Sequence, residues 1–200
     1  MIKRFALIIV SALVLGGCVT SPPQKTGNIC HIFEEKDDWY DDAKDAYEEW
    51  GTPIPVSMAI MHQESHFVAD ALPPRTSILW IFPGPRPTTA YGYSQALDET
   101  WDWYQRSSGN SGADRDDFED AIDFVGWYNS ISHRKNSIKY SDAYHLYLAY
   151  HEGHGGFQRR SFKSKDWLKG VAKKVSARAN RYRKQLKSCE ADLQSSWWFL

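Results

Sequence analysis

Apolar residues recur at spacings of three and four along most of the chain, which is the period of an amphipathic α-helix. Helices are predicted over residues 37–50, 55–66, 94–105, 116–132, 142–151 and 165–189. The last of these carries an apolar stripe formed by Trp167, Val171, Val175, Ala179, Tyr182 and Leu186. The sequence contains no convincing strand pair, internal repeat or low-complexity segment, so the chain is predicted to be mostly α-helical.

The predicted helix over residues 55–66 places a carboxyl group on its apolar side. Four side chains share one arc of about 80° when successive residues turn by roughly 100°: Val56, Ile60, Glu64 and Phe67. A glutamate that turns outward at the helix end is the alternative. The spacing favours a Glu64 side chain that faces apolar neighbours.

Residues 70–89 are too rich in proline to form a helix. Their helix-breaking residues are Pro73, Pro74, Pro83, Gly84, Pro85 and Pro87. The same segment carries Trp80 and Phe82. A loop of this length inside a compact domain is usually functional or mobile.

Length and composition limit the possible classes of protein. A chain of 200 residues with 42% hydrophobic and 24% charged residues has the balance of one globular domain, which excludes a disordered tail and a multipass membrane protein. The formal net charge of −1 gives no electrostatic footprint for nucleic acid. Aromatic residues reach 14%, and such an excess either fills the core or lines a cleft for sugars or peptides.

The first residues have the three parts of an export signal. Lys3 and Arg4 precede an apolar stretch, residues 5–15, that is too short to span a bilayer. The sequence Leu-Gly-Gly-Cys that ends at Cys18 resembles a bacterial lipobox. We therefore expect a signal peptide over 1–17, and a lipidated Cys18 with a tether over 18–34. The folded domain is expected over 35–189 and a tail over 190–200.

The residue after Cys18 bears on the destination of the chain. Val19 stands where an aspartate would indicate retention in the inner membrane, so we expect a lipid-anchored protein of the outer membrane that faces the periplasm. The alternative is an ordinary secretory signal cut nearby, which leaves Cys18 as a free thiol. Export to an oxidising compartment also favours a disulfide between Cys30 and Cys189, with two unpaired thiols as the alternative.

Three short motifs lie in a fixed order along the chain: Glu64-Ser65-His66-Phe67, Gly92-Tyr93-Ser94-Gln95 with Thr100, and Ala149-Tyr150-His151-Glu152-Gly153. Together they resemble the soluble lytic transglycosylase family, a branch of the lysozyme-like fold. The family patterns are Glu-Ser-x-Phe, Gly-Leu-Met-Gln followed by Thr, and Ala-Tyr-Asn-x-Gly. The substitutions at Tyr93, Ser94 and His151 make this chain a divergent member.

The resemblance implies cleavage of the glycan strands of peptidoglycan, with a 1,6-anhydro sugar as product and no cofactor or metal. It makes Glu64 the general acid and base, because a carboxyl group buried against apolar side chains stays protonated near neutral pH. The implied substrate-binding residues are Ser65, Tyr93, Gln95, Tyr150, His151 and Tyr182. For Tyr150 and Tyr182 core packing is the alternative. From the apolar Trp80 and Phe82 on this proline-rich segment, we expect the loop over 70–89 to form one wall of the cleft. A loop packed against the core for stability alone is the alternative.

Three other functions remain open at this point. A hydrolase of the lysozyme type would need a second carboxylate, for which Asp70 and Asp98 are the candidates. A zinc site could use His62 and His66, with His151 or His154 as a third ligand, although Glu64 would face away from a metal that the first pair held. A non-catalytic glycan-binding lipoprotein would keep the fold without turnover.

Overall fold

The computed structural model describes residues 21–78 and 82–195 of the chain. Its elements in chain order are α1 (Ile29–Glu35), α2 (Trp39–Trp50), α3 (Ile54–Ser65), β1 (Ser77–Ile78), β2 (Phe82–Pro83), α4 (Asp98–Ser108), α5 (Phe118–Asn136), α6 (Ala143–Gln158) and α7 (Asp166–Ser195). The predicted mostly α-helical class is confirmed. The strands form a two-residue antiparallel pair inside the proline-rich loop, which is too short for the sequence pattern to reveal.

Helix α3 is buried on almost every side. It packs against α2, α5, α6 and α7, and Met58, Ala59 and Met61 are as fully buried as the predicted stripe residues Val56 and Ile60. A helix that is hydrophobic all round lies inside a core. The single apolar stripe predicted for this helix is therefore too narrow, and α3 is the central helix of the domain.

Aromatic side chains fill much of the core around α5. Trp39 stacks on Phe118 with ring centroids 3.8 Å apart, which joins α2 to the first turn of α5. Trp101 and Tyr104 of α4 pack against Phe124 of α5 at 5.2 and 5.5 Å. Most of the aromatic excess seen in the composition is thus used in packing, where each ring buries a large apolar area.

The segment before α4 is a turn, although the sequence pattern predicts a helix from residue 94. Gly92 and Gln95 adopt left-handed backbone conformations, with φ of 76° and 52°, and such residues interrupt a right-handed helix. At Gly92 a Cβ atom would lie 2.0 Å from the carbonyl oxygen of Arg115. Only glycine fits at Gly92. Gln95 lies within the predicted helix and its left-handed backbone interrupts it, so α4 begins later, at Asp98.

Helix α6 changes direction near its end. Asp142 caps its start by accepting a hydrogen bond from the His145 amide at 3.1 Å. Gly153 has φ of 72° and ψ of 158°, which breaks the helical path. The regular part of α6 therefore ends close to the predicted boundary at residue 151, and Gly153 turns the chain towards a 3-10 turn over Ser161–Ser164.

The two ends of the domain are joined covalently. Cys30 of α1 and Cys189 of α7 form a disulfide with Cα atoms 6.1 Å apart, as expected from the export signal. Ile29, Ile32 and Phe33 of α1 are buried, so α1 belongs to the folded domain although it lies within the range predicted for the tether. Helix α7 continues to Ser195, past the predicted boundary at residue 189.

The segment just before α1 is fastened to α7. The carbonyl oxygen of Thr26 accepts hydrogen bonds from Tyr182 and Arg178, and that of Gly27 accepts one from Gln185 at 3.2 Å. The Thr26 hydroxyl lies 3.2 Å from Nε2 of His62 on α3. The polar residues before α1 are thus attached to the domain at least from Thr26 onwards.

Several predictions fall on residues outside the described ranges: the signal peptide over 1–17, the lipidation of Cys18, Trp80 in the proline-rich loop, and the end of the tail over 196–200. These stay predictions, as does the role of the Phe82 side chain. Within the described residues, no helix is both long enough and apolar enough to cross a membrane.

Candidate active site

Glu64 lies in the last turn of α3, directly before a reversal of the chain. His66 and Phe67 follow it with φ of 54° and 64°, and the buried ring of Phe67 anchors the reversal in the core. The Ser65 hydroxyl accepts a hydrogen bond from the Phe67 amide at 3.1 Å and donates one to the Met61 carbonyl at 3.4 Å. Ser65 therefore shapes the turn that carries Glu64, through the backbone.

The carboxyl group of Glu64 is half-buried and has a strongly shifted affinity for protons. Burial raises its pKa to about 7, against a hydrogen bond from Tyr147 that lowers it. Desolvation disfavours the carboxylate form, so burial dominates at this position. About half of the Glu64 side chains are therefore protonated near neutral pH, as a group that both gives and takes a proton requires.

Tyr147 contacts Glu64, and the sequence motifs did not single it out. It is buried in α6 and donates a hydrogen bond to the Glu64 carboxylate. Burial and the adjacent carboxylate raise its pKa, which keeps the hydroxyl protonated as a donor. Tyr147 precedes Tyr150 by three residues, a spacing that puts both on one face of a helix. The spacing from Tyr150 was therefore the sequence signal that could have identified Tyr147 as a site residue.

Tyr150 connects the second and third motifs. Its hydroxyl donates a hydrogen bond to the Ser94 carbonyl at 2.7 Å. Burial and then the charge of Glu64 raise the pKa of Tyr150 well above 10, so Tyr150 lies within electrostatic reach of the carboxylate. Gln95 donates to the carbonyls of Ala71 and Gly92, both at 2.9 Å. The loop before α4 is thus held against Tyr150.

Two residues predicted to bind substrate lie in the core instead. Tyr93 is 1% exposed, and its ring packs against Trp39 and Phe118 at 5.7 and 5.8 Å. Tyr182 is fully buried, and its hydroxyl donates to the Thr26 carbonyl. Both rings are buried, and packing is the role weighed as the alternative for Tyr182. The motif spacing could not distinguish the two roles, because both keep an aromatic residue at the position.

His151 is exposed directly after Tyr150. Its Nδ1 lies 3.2 Å from the carboxylate of Glu152, a side chain with only 3% of its surface exposed. Lys165 approaches the same carboxylate oxygen at 2.7 Å. Burial acts to raise the pKa of Glu152, but hydrogen bonds from Lys165, Ser161 and His151 hold it below its usual value. Glu152 is therefore an ionised anchor beneath His151.

The histidines considered for zinc are used in packing and hydrogen bonding. The rings of His62 and His66 lie 4.7 Å apart, and burial followed by the charge of Arg178 lowers the pKa of His62 to about 3. His154 stacks on Tyr128 at 4.3 Å. Over residues 21–78 and 82–195, no group of three or more histidine, cysteine or acidic side chains is arranged to hold a metal ion.

The two candidates for a second carboxylate are both exposed. Asp98 begins α4 and pairs with Arg115 at 2.8 Å, and Asp70 follows the reversal after α3. In the described part of the chain, the groups that shift the pKa of Glu64 are its apolar surroundings and Tyr147. Glu64 therefore titrates without a carboxylate partner among these residues.

The domain is mostly helical, and its central helix ends in a half-buried glutamic acid that a tyrosine of a neighbouring helix contacts, which is consistent with a lysozyme-like helical domain. The family model of the transglycosylase SLT domain matches residues 6–189, and the chain belongs to this family. The resemblance drawn from the three motifs is thereby confirmed. Membership supports a function of the lytic transglycosylase type in general, with peptidoglycan as the substrate class. No curated protein and no solved structure matches the chain.

Proposed function

We propose that the protein is a peptidoglycan lytic transglycosylase that cleaves the β-1,4 bond between N-acetylmuramic acid and N-acetylglucosamine. The observation that supports this reaction is the carboxyl group of Glu64, with a pKa of about 7, at the end of a buried helix in a chain of the SLT family. A glycosidic oxygen is a poor leaving group unless it is protonated as the bond breaks. Glu64 is in the right protonation state for this task at neutral pH.

In the first step Glu64 donates its proton to the glycosidic oxygen while the bond from that oxygen to C1 of the muramic acid breaks. The N-acetyl group of the substrate stabilises the positive charge that develops at C1. In the second step the Glu64 carboxylate takes the proton of the C6 hydroxyl as this oxygen attacks C1. The product is a 1,6-anhydro sugar, and Glu64 recovers its proton, so the reaction consumes no water.

Tyr147 has a defined part in this scheme. After the first step Glu64 is an anion in a poorly hydrated position, and the Tyr147 hydroxyl donates a hydrogen bond to it. Hydrogen bonds to charged groups are stronger than those between neutral groups. Tyr147 therefore stabilises the charge that develops on Glu64, while Tyr150 holds the loop that carries Ser94 and Gln95.

The reaction is tested by Glu64→Gln, which keeps the shape of the side chain but cannot transfer a proton. Release of soluble fragments from purified peptidoglycan should fall by about 10² to 10⁴-fold, the usual worth of acid–base assistance. Glu48→Gln, on the exposed side of α2, is the matched control and should keep full activity. Full activity of Glu64→Gln would remove the catalytic assignment.

Mass spectrometry of the wild-type products separates the proposed reaction from its rivals. Fragments that end in 1,6-anhydro sugars are expected. Fragments with reducing ends would indicate a hydrolase and direct attention to Asp70 and Asp98. Binding to peptidoglycan without any release of fragments would indicate a glycan-binding protein.

We further propose that the protein acts from a lipid anchor on Cys18, in the outer membrane and facing the periplasm. The support for this proposal is the export signal over residues 1–17 and the lipobox-like sequence that ends at Cys18. A disulfide in the folded domain is compatible with an oxidising compartment.

A further inference from the structure

Trp167 is the most exposed of the large hydrophobic side chains in the described part of the chain, with 60% of its surface accessible. The sequence pattern places it first in the apolar stripe of α7. The stripe is buried at Val175, Ala179 and Leu186, so Trp167 departs from it. Because α7 does not use this indole for packing, the side chain is available to a ligand.

The neighbour of Trp167 is a residue of the third motif. The ring of His151 packs against the indole with centroids 5.2 Å apart and an angle of 77° between the planes. His151 follows Tyr147 by four residues and Tyr150 by one, so all three lie on adjoining parts of one face of α6. The pair formed by Trp167 and His151, here called the Trp167 pair, therefore lies on the side of α6 that carries Tyr147, the residue that contacts Glu64.

The Trp167 pair is held in place by an ion pair whose carboxylate, that of Glu152, is buried. The carboxylate of Glu152 binds Lys165, two residues before Trp167, at 2.7 Å, and also accepts a hydrogen bond from Ser161. These contacts fix the chain that enters α7 against the end of α6. Trp167 and His151 thus keep their relative position without a ligand, which lowers the entropic cost of binding one.

The same anchor determines the hydrogen bonding of His151. An ionised carboxylate only accepts hydrogen bonds, so Nδ1 of His151 carries the proton in its contact with Glu152 at 3.2 Å. In the neutral imidazole, Nε2 is then an acceptor. The Trp167 pair consequently offers an apolar ring face beside one hydrogen-bond acceptor.

We infer that the Trp167 pair is a sugar-binding subsite for the glycan strand. A pyranose ring stacks its C–H groups on the exposed indole, and Nε2 of His151 accepts a hydrogen bond from a hydroxyl or acetamido N–H of that sugar. This inference rests on the proposed function, because it takes the bound strand to be the one that Glu64 cleaves. It assigns a substrate contact to Trp167, which lies outside the three motifs.

Binding of N-acetylchitohexaose, a peptide-free glycan, tests the subsite in the full chain carrying Glu64→Gln, which prevents turnover. Adding Trp167→Ala should weaken hexaose binding by about five- to tenfold, the worth of one good aromatic contact. His151→Ala should weaken it by a smaller factor. Trp167→Phe keeps an aromatic ring and should fall between the parent and Trp167→Ala.

Tyr47→Ala is the matched control, since it removes another exposed ring, 45% accessible, from α2. It should leave hexaose binding unchanged, and thermal melting of each variant checks that the fold is retained. Equal hexaose affinity with and without Trp167, or no hexaose binding by the parent, would overturn the subsite. If Trp167→Ala lost binding to an isolated stem peptide while its hexaose binding stayed intact, the sugar subsite would be overturned in favour of peptide recognition.

Failure of the subsite and failure of the proposed reaction can be distinguished. Full turnover by Glu64→Gln would refute the catalytic role of Glu64, whatever the effect of Trp167→Ala on binding. Conversely, unchanged hexaose binding in Trp167→Ala would refute the subsite while the loss of turnover in Glu64→Gln still supported the reaction.

Discussion

The hydroxyl of Tyr147 donates a hydrogen bond to the carboxylate of Glu64, and this contact joins the end of α3 to the middle of α6. It acts against burial, which raises the pKa of the carboxyl group. The proton affinity of Glu64 is thus a balance between two opposing effects, and the hydrogen bond can be removed by a single substitution.

Removing the hydroxyl in Tyr147→Phe should raise the pKa of Glu64 above about 7, because the remaining effect is burial. An acid catalyst works in its protonated form, so activity should fall as pH rises through this pKa. The alkaline limb of the pH profile of kcat/KM should therefore move to higher pH in Tyr147→Phe. We also expect a loss of about tenfold in kcat, as the Glu64 anion loses a donor. An unchanged alkaline limb would contradict this assignment.

The raised pKa of Glu64 also predicts how stability depends on pH. The folded state binds the Glu64 proton more tightly than the unfolded state, so this residue makes stability decrease as pH rises from about 4.5 to about 7. Glu64→Gln removes this dependence. Its stability should match the wild type at pH 4 and exceed it at pH 8 by on the order of 1–3 kcal/mol, measured by denaturant titration at both pH values. If Glu64→Gln and the wild type differed equally in stability at pH 4 and pH 8, the difference would have a cause other than the titration of Glu64.

Gly92→Ala should destabilise the domain by about 2 kcal/mol or more. The substitution combines a strained left-handed backbone with a clash against the Arg115 carbonyl, 2.0 Å from the added Cβ. Gly112→Ala meets no atom within 4 Å and should change stability by less than about 1 kcal/mol. Thermal melting compares the two variants, and similar losses in both would show that the fit at Gly92 has no special importance.

The disulfide should contribute strongly to stability. Cys30 and Cys189 are separated by 159 residues, for which the chain-entropy relation gives roughly 5 kcal/mol before any strain is subtracted. The double variant Cys30→Ser, Cys189→Ser should melt at a lower temperature than the oxidised wild type and should be insensitive to reductant. Two titratable thiols at these positions in the oxidised protein would show that the bridge does not form.

Lipidation is tested at Cys18. Cys18→Ala should leave the chain without an acyl group and move it out of the detergent-extracted membrane fraction. Mass spectrometry of the wild type should show the acyl mass on the N-terminal peptide. Unchanged membrane recovery of Cys18→Ala, with no acyl mass on the wild type, would remove the anchor from the proposal.

Local sequence information was sufficient for the helices and for the position of Glu64. The three- and four-residue periodicity gives the starts of α2, α5 and α7 to within two residues. In α2 and α7 the buried positions follow this period, because one side of each helix faces the core. The periodicity was insufficient for α3. This helix is buried on almost every side, so the spacing of its apolar residues cannot show which side faces the core. The periodicity also missed the turn at residues 92–97, where Gly92 and Gln95 adopt left-handed conformations. At Gly92 this conformation brings the backbone against the Arg115 carbonyl.

The roles of the aromatic residues could not be predicted from the motifs. Tyr93, Tyr147 and Tyr150 all lie in or near the motifs, yet Tyr93 packs in the core and Tyr147 binds Glu64. Their roles depend on which helix each ring meets, and that is decided by tertiary packing. The spacing placed Trp167 in the apolar stripe of α7, and only the folded chain shows that its ring is exposed.

The bridge between Cys30 and Cys189 has a mechanical consequence. Every helix from α2 to α6 lies inside the covalent loop that the two sulfur atoms close. A pulling force applied at the two ends of the oxidised chain is carried across the sulfur–sulfur bond and bypasses the segment that holds Glu64. Stretching from its ends therefore cannot unravel the oxidised domain, whereas the reduced chain would have to resist the same tension through its helix contacts alone.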